Sequence, residues 1–486
     1  MPLTWQGILG ELRRTDLLVS APDAGPAPTG LTVDSRAATT GSVYLAVRGS
    51  QADGHLYVGD AIRRGAAAAV VESPASSAVP EIVVRDGRRA AVILGAAWFE
   101  HPARKLTLAG VTGTNGKTTT TGLLRHLLNR TGTSGSIGTL GAFDGRGEPV
   151  ASTAGTLTTP GPIDLQATFA AMVARGVERV TMEASSHSLD QGRLDGLTFA
   201  AGVFTNLTRD HLDYHGTMES YLAAKLKLGT MLASDGVEVV NLDDDAWLTL
   251  PARARRLTFG THRAADVRAA DVVLQAGGSR FRLDGCYGPV DVELPLLGDF
   301  NVANALAAGA CALGMGLPLA EVATRLSSAP QVPGRMERVA ETPCVVLRDY
   351  AHTPDALERA LATLRPLTTG RVIVVFGCGG DRDKGKRPLM GRVAAEGSDL
   401  AIVTSDNPRT EDPDAIIDDI EGGMGGVEHR RITDRLAAIR AALESARAGD
   451  TLLLAGKGHE TYQILGKEKV PFDERAIVRR LVGVEP

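Results

Sequence analysis

Val111-Thr112-Gly113-Thr114-Asn115-Gly116-Lys117-Thr118-Thr119-Thr120 is the stretch from which the fold can be read. Ahead of it, Lys105 to Val111 is short, apolar and rich in β-formers, the pattern of a buried strand. Behind it, Leu123, Leu124, Leu127 and Leu128 recur on one face of a helix. Strand, glycine-containing loop, Lys-Thr and helix together make a phosphate-binding loop. Its glycines let backbone N–H groups turn toward phosphate oxygens, and the helix N-terminus adds the positive end of its dipole. Lys117 is expected to reach the terminal phosphates of a nucleoside triphosphate, and the Thr118 hydroxyl to ligate Mg²⁺. The spacing departs from G-x-x-x-x-G-K-[ST], because Val111 stands at the first glycine position. The shorter Gly113-Thr-Asn-Gly116-Lys117-Thr118 keeps the two residues that carry the chemistry.

At 486 residues the chain is too long for one core, so several domains are expected. Apolar residues make up 43% and charged residues 22%, the balance of a soluble globular protein. A formal net charge of −5 argues against general binding to nucleic acid or membrane surfaces. The four cysteines, Cys286, Cys311, Cys344 and Cys378, form no C-x-x-C pair, which points away from zinc ribbons and disulfide frameworks and toward a reduced, cytoplasmic setting. The N-terminal residues do not read as a signal peptide, and no apolar run is long enough to span a membrane.

In order along the chain, residues 1–106 read as a small α/β domain. Trp5, Ile8, Leu9 and Leu12 suggest a short amphipathic helix, and strands are expected at 31–33, 43–47, 68–71 and 82–84. Asp34-Ser35-Arg36 and the run Ser50 to His55, taken alone, read as polar loop residues. Residues 107–333 carry the phosphate loop. A strand over 177–182 ends at Glu183-Ala-Ser185-Ser186-His187, where a carboxylate beside the phosphate loop suits a second Mg²⁺-orienting ligand. Another strand, 200–204, runs into Asn206 to Gly216, and the acids and histidines crowded there assign a functional role to His211 as well as Glu183. Lys225 lies in a helical pattern and by itself reads as a surface lysine. Asn301 and Asn304 fall one helical turn apart on a segment of small residues.

Pro333-Gly334 breaks the chain, and 334–486 alternates strands with helices, hence a parallel sheet covered on both faces. Four strands there end in polar clusters: Asp349-Tyr-Ala-His352, Gly377 to Lys384 with Arg382, Asp406-Asn407-Pro408-Arg409, and Gly456-Lys-Gly-His-Glu460. Ligands bind at the carboxyl ends of strands in open α/β sheets, so these clusters are expected to share a crevice. Gly377-Cys-Gly-Gly lacks G-x-G-x-x-G and is not a dinucleotide fingerprint.

Assembled in this order, the motifs resemble the Mur ligases of bacterial cell-wall synthesis along essentially the whole chain, in particular the branch that installs 2,6-diaminopimelate. The resemblance implies an α/β fold of three domains: 1–106 for the UDP-sugar, 107–333 a central P-loop ATPase domain with a mainly parallel sheet, and 334–486 a Rossmann-like domain for the amino acid. It implies an ATP-dependent, ADP-forming amide ligase that adds meso-diaminopimelate to UDP-N-acetylmuramoyl-L-alanyl-D-glutamate through an acyl phosphate. That is a step of peptidoglycan precursor synthesis, on which cell-wall biogenesis, cell shape and division depend. ATP, two Mg²⁺ ions and a lysine carbamate formed from CO₂ are the implied cofactors. The chain is expected to act as a cytoplasmic monomer on small molecules alone, with no nucleic acid or membrane partner.

Residue by residue, the resemblance implies that Val33, Ser35, Ser50, Gln51 and Ala52 hold the UDP-sugar and that Thr158, Thr159, Ser185, Gln191 and Arg193 grip the muramoyl dipeptide. Gly113, Thr114, Asn115, Gly116, Lys117, Thr118 and Thr119 hold the ATP phosphates, with Asn301, Arg335 and Asp349 closing over the nucleotide. Thr118, Glu183, His211 and Lys225 as a carbamate are the implied metal ligands, which reverses the surface reading of Lys225. Arg382, Asp406, Asn407, Pro408, Arg409, Gly456 and Glu460 are assigned to the diaminopimelate site. The alternatives are a ligase of the same kind adding L-lysine or L-ornithine, and a folylpolyglutamate synthetase-like ligase, against which the full first domain with Asp34-Ser-Arg speaks. A nucleotide-driven switch is a third, and it would need no second substrate site such as Arg382 and Asp406 imply.

Overall fold

The computed structural model describes residues 3–49, 52–150 and 157–484. The chain divides into two compact units, Met1–Arg268 with Leu283–Val290 and Asn304–Arg325, and Ala269–Arg282 with Asp291–Ala303 and Leu326–Pro486.

The first unit opens with the helix Trp5–Arg14, whose Thr4 side chain caps the free N–H of Gly7. Its Trp5, Ile8, Leu9 and Leu12 enter a core with Val43, Leu45, Val70, Ile82 and Val84, as the periodicity requires. Those partners sit on a sheet of five strands, β1 (Leu18–Ser20), β2 (Gly30–Thr32), β3 (Ser42–Leu45), β4 (Ala68–Val71) and β5 (Glu81–Val84), in the order β1-β5-β4-β3-β2. Only β1 runs antiparallel to its neighbour.

A second sheet carries the phosphate loop. Its strands in this unit are β6 (Thr107–Thr112), β7 (Ser134–Gly138), β8 (Gly141–Phe143), β9 (Arg179–Glu183), β10 (Phe199–Phe204), β11 (Leu232–Asn241) and β12 (Arg255–Gly260), ordered β12-β11-β10-β6-β9-β7-β8. The register decides the site. Val111 on β6 lies level with Glu183 on one side and Val203 on the other, all three strands parallel, so the phosphate loop, Glu183 and the Asn206 loop leave the sheet at one edge. Leu123, Leu124, Leu127 and Leu128 of the helix Lys117–Leu128 are buried. The β7–β8 hairpin and β11 lie outside the strands that sequence patterning picks out. Three further strands follow: β13 (Val267–Gln275), pairing parallel with β12, then β14 (Gly278–Gly285) and β15 (Val290–Leu294).

The second unit is built on β16 (Glu337–Ala340), β17 (Val345–Asp349), β18 (Val372–Phe376), β19 (Leu400–Val403), β20 (Arg430–Arg431) and β21 (Thr451–Ala455), in the order β16-β17-β21-β18-β19-β20. All pairs but β16–β17 are parallel. Side chains alternate between two cores: Val372, Val374, Phe376 and Leu453 face one layer with helices Pro354–Leu364, Lys386–Gly397 and Pro413–Glu421. Ile373, Val375, Leu452 and Leu454 face the other, with Arg435–Ser445 and Glu474–Leu481. Burial on both faces is why these strands read as unbroken apolar runs. A hairpin, β22 (Tyr462–Leu465) and β23 (Glu468–Pro471), lies apart from that sheet.

Leu453 is wholly buried in the middle of β21. Leu453→Ala is expected to destabilise this unit by about 2–5 kcal/mol, whereas Leu465→Ala, at a position 46% exposed, should cost within about 0.5 kcal/mol. Urea unfolding of the full chain followed by tryptophan-independent far-UV signal measures both, and equal midpoints for the two variants would contradict the burial pattern.

Candidate active site

In the phosphate loop, Gly113 and Gly116 hold φ at +148° and +83°, and a side chain at either would collide, with Thr205 Oγ1 at the first and with Asn304 Oδ1 at the second. Both positions therefore demand glycine. The loop is clamped from β10's end. Thr114 N–H donates to Asn206 O at 2.7 Å, Asn115 N–H to Asn206 Oδ1 at 2.9 Å, and Thr205 Oγ1 to Asn115 O at 2.7 Å. Thr118 and Thr119, in the first helical turn, are buried.

Two lysines converge on one oxygen. Lys117 Nζ donates to Gly113 O at 3.0 Å and Thr114 O at 2.8 Å, and Lys225 Nζ donates to the same Gly113 O at 2.6 Å. Lys225 is only 1% exposed, so its reading as a surface lysine fails. The cause is tertiary: the helix Met218–Leu226 packs its Tyr221 and Lys225 side inward, and the Tyr221 ring lies 4.3 Å under the ammonium while its hydroxyl lies 3.2 Å from Thr114 Oγ1. Burial, and secondarily the charge of Lys117, hold the Lys225 pKa well below the usual lysine range.

Glu183 is 1% exposed, and both its oxygens are held by Thr139, Oε1 by the backbone N–H at 2.8 Å and Oε2 by the hydroxyl at 3.2 Å. Thr139 Oγ1 also lies 3.3 Å from Thr158 Oγ1, while Thr159 Oγ1 donates to the Glu183 carbonyl at 2.8 Å and lies 3.2 Å from Ser185 Oγ. Arg193 reaches Thr159 O at 3.0 Å and grips Gln191 Oε1 through two nitrogens, at 2.9 and 2.6 Å. Thr158, Thr159, Ser185, Gln191 and Arg193 thus form one hydrogen-bonded group with Glu183. His211, at φ +53°, stands with its ring 4.8 Å from that of His187. Burial, then the neighbouring His211 and His215, pull His187 down to about 4, and burial also lowers His211.

Hard oxygen donors suit Mg²⁺, and Thr118, the Glu183 carboxylate and a carboxylated Lys225 would supply them, with His211 as a nitrogen ligand. Among the described residues no three His, Cys, Asp or Glu side chains gather to hold a metal. Farther up the chain, Ser35 Oγ donates to Asp60 Oδ2 at 3.0 Å, Val33 is half-buried and Ala52 exposed. Ser50 and Gln51 lie outside the described residues.

In the second unit the strand-end clusters meet as the parallel sheet requires. Asp349 Oδ2 accepts from Met336 N–H at 2.7 Å, and burial raises its pKa against the opposing charge of Arg335, whose guanidinium lies 4.9 Å from the centre of the Tyr350 ring. Asn301, buried in the helix Asp299–Gly314, donates through Nδ2 to Leu297 O at 2.8 Å. Asn407 Nδ2 donates to Glu460 Oε2 at 2.9 Å, and Gly456, at φ +111°, follows β21. Arg409 has φ +52°, its N–H and C=O bonded to Ile464 O and Gly466 N–H, and its Nη1 donating to Gly380 O at 2.7 Å. Glu411, the obvious rival partner for Arg409, is taken instead by Arg387 at 2.9 Å and Lys384 at 3.2 Å. Arg382 is exposed and Pro408 buried. Sequence patterning overlooked Thr139, Tyr221 and Lys457; only the GKGHE run around Lys457 carried any signal.

Three family descriptions match the chain: "Mur ligase family, catalytic domain" over residues 28–105, "Mur ligase middle domain" over 111–312 and "Mur ligase, glutamate ligase domain" over 334–458. The UDP-N-acetylmuramoyl-L-alanyl-D-glutamate–2,6-diaminopimelate ligase of Geobacillus kaustophilus is 47% identical over 465 residues, covering 93% of this chain and 94% of that protein. The ligase of the same name from Parasynechococcus marenigrum is 45% identical over 491 residues, 97% of each. A solved structure of a ligase of that name superposes with a TM-score of 0.67 at 35% identity over 99% of both chains. A folylpolyglutamate synthase structure from Mycobacterium tuberculosis, 19% identical with a TM-score of 0.64 over 82% of this chain and 95% of that one, shares the fold alone. With a phosphate loop, a buried second lysine and family matches running through all three regions of the sequence, the chain belongs to the Mur ligase family.

Proposed function

We propose that this chain joins meso-2,6-diaminopimelate to UDP-N-acetylmuramoyl-L-alanyl-D-glutamate, with ATP cleaved to ADP and phosphate. The observation that carries the ligase reading is the convergence of Lys117 and Lys225 on the Gly113 carbonyl, a phosphate loop with a second, buried lysine. The substrates follow from the names of relatives that match almost the whole chain. Three domains, 1–106, 107–333 and 334–486, are supported by the three separate main sheets and by the bounds of the family matches. Cytoplasmic location and a monomeric state belong to the same proposal; no helix among the described residues is long and apolar enough to cross a membrane.

A carboxylate does not react with an amine at neutral pH, so the nucleotide substrate's carboxylate must first take the γ-phosphoryl group of ATP. In this reading Gly113 to Thr119 orient the phosphates through backbone N–H groups, and Lys117 stabilises the charge spread over the transferring group. Thr158, Thr159, Ser185, Gln191 and Arg193 hold the dipeptide end of the substrate near Glu183. Val33, Ser35, Ser50, Gln51 and Ala52 are assigned to its UDP-sugar, and Asn301, Arg335 and Asp349 to the nucleotide. Thr118, Glu183, His211 and carboxylated Lys225 would hold Mg²⁺, which supplies charge neutralisation at the phosphates. The amine of diaminopimelate then attacks the acyl phosphate, phosphate leaves, and the amide remains. Arg382, Asp406, Asn407, Pro408, Arg409, Gly456 and Glu460 are the residues proposed to present that amine.

Lys225 is suited to carbamate formation, because the neutral amine attacks CO₂ and the low pKa keeps that form populated. Conversion turns a cation beside Lys117 into an anion and adds two oxygen donors.

Lys117→Ala should lower kcat at least about 100-fold, the scale of losing one preorganised electrostatic stabiliser; near-normal phosphate release would remove the phosphate-loop assignment. Lys225→Ala should be almost inactive and partly rescued by added formate or acetate, and a fully active variant would exclude a carbamate. The amino acid is tested by phosphate release with ATP, Mg²⁺ and UDP-N-acetylmuramoyl-L-alanyl-D-glutamate against a panel of amino acids. Meso-diaminopimelate differs from L-lysine by a distal carboxylate, which the Arg409 guanidinium can pair through two parallel hydrogen bonds. A missing polar partner of that kind discriminates by up to ~10⁴-fold. Strong preference over L-lysine and L-ornithine is expected, together with collapse of diaminopimelate use in Arg409→Ala. Comparable kcat/KM for lysine in the wild type would refute the assignment.

A further inference from the structure

Lys457 sits just past the end of β21 between two glycines at positive φ, Gly456 at +111° and Gly458 at +52°. Those backbone conformations turn its side chain inward, where it is 0% exposed. Its ammonium finds three acceptors: Asn407 Oδ1 at 3.0 Å, Asp406 Oδ1 at 3.3 Å and Glu460 Oε2 at 3.3 Å. Three N–H donors meet three acceptors, and every acceptor belongs to a residue assigned above to the amino-acid site. Asn407 is oriented as a result. Its Oδ1 takes the ammonium and also the Ile464 N–H at 3.0 Å, which leaves Nδ2 to donate to Glu460 Oε2 at 2.9 Å. A flipped amide would set its NH₂ against the ammonium.

The charges show the same design. Asp406 and Glu460 bring two negative charges to one place and Lys457 one positive charge, so the group keeps a single net negative charge. Without the ammonium, two poorly solvated carboxylates would be left close together with no cation to offset their charge, and they would repel and swing apart.

We propose that Lys457 is a positioning residue of the amino-acid site. Its buried ammonium draws Asp406 and Glu460 together and locks the Asn407 amide, so that the group meets the ammonium end of the incoming diamino acid with one net negative charge. The inference rests on the ligase reading given above.

The test is initial-rate kinetics of the full chain with ATP, Mg²⁺, UDP-N-acetylmuramoyl-L-alanyl-D-glutamate and meso-diaminopimelate, comparing wild type with Lys457→Met and Lys457→Gln. The expected result is a KM for diaminopimelate raised at least about 30-fold, the scale of losing hydrogen bonds to charged groups, with the KM values for ATP and the nucleotide substrate within about 3-fold of wild type. In Lys457→Ala, added ethylammonium should restore part of the diaminopimelate affinity, and the same concentration of sodium chloride should not. An unchanged diaminopimelate KM in a folded variant, an equal rise in all three KM values, or failure of both Met and Gln variants to fold would each overturn the proposal, the last two by making Lys457 a general structural residue. A wild-type enzyme that ignores diaminopimelate would instead overturn the ligase reading, which keeps the two failures distinguishable.

Discussion

The carbonyl oxygen of Gly113 accepts hydrogen bonds from two lysines, and much of the first unit is arranged around that fact. Two ammonium groups so close repel each other, and one of them is buried beyond the reach of solvent screening. Such a pair is stable only where anions arrive or where one lysine gives up its charge. Both remedies fit one chemistry. In the proposed reaction, phosphate oxygens would meet Lys117, and Lys225, whose pKa burial lowers, would take up CO₂. Tyr221 couples the two halves, its ring against Lys225 and its hydroxyl at Thr114.

Sheet register turns this local pair into a site. Because β9, β6 and β10 run parallel and in step, Glu183 and the clamp at Thr205 and Asn206 come off the same edge as the phosphate loop. The tightness at Gly113, where a side chain would meet Thr205, shows how closely the clamp fits. On the far side of Glu183, Thr139 occupies both carboxylate oxygens and links them through Thr158 and Thr159 to Arg193. A carboxylate held through both oxygens keeps its direction, as the proposed role in orienting a cation would need.

The second unit solves a related problem with opposite charge. Its parallel sheet collects polar loops at the strand ends, and the resulting carboxylates, Asp406 and Glu460, are kept together by the buried Lys457. Arg387, equally buried, absorbs Glu411 and so leaves Arg409 without a carboxylate partner among the described residues. One buried cation organises anions, and another keeps a competing anion away from the guanidinium.

The sequence by itself determined the parts whose signal is local. The phosphate loop, the helix at Trp5–Arg14, the apolar strands of the second unit and the ends at which their polar clusters sit were all legible, since periodicity, glycine placement and burial on both faces act over a few neighbouring residues. The resemblance to the Mur ligases rested on the same short motifs. What only the tertiary structure decided was which of those residues touch. Lys225 reads as exposed from its own helix because the burial comes from Gly113 and Tyr221, and the first of these lies more than a hundred positions away. Thr139 carries no motif, and its role exists only because β7 lies beside β9. Lys457 was visible in its run but not its purpose, because a lysine's partners are set by strand order and register rather than by its neighbours in the chain.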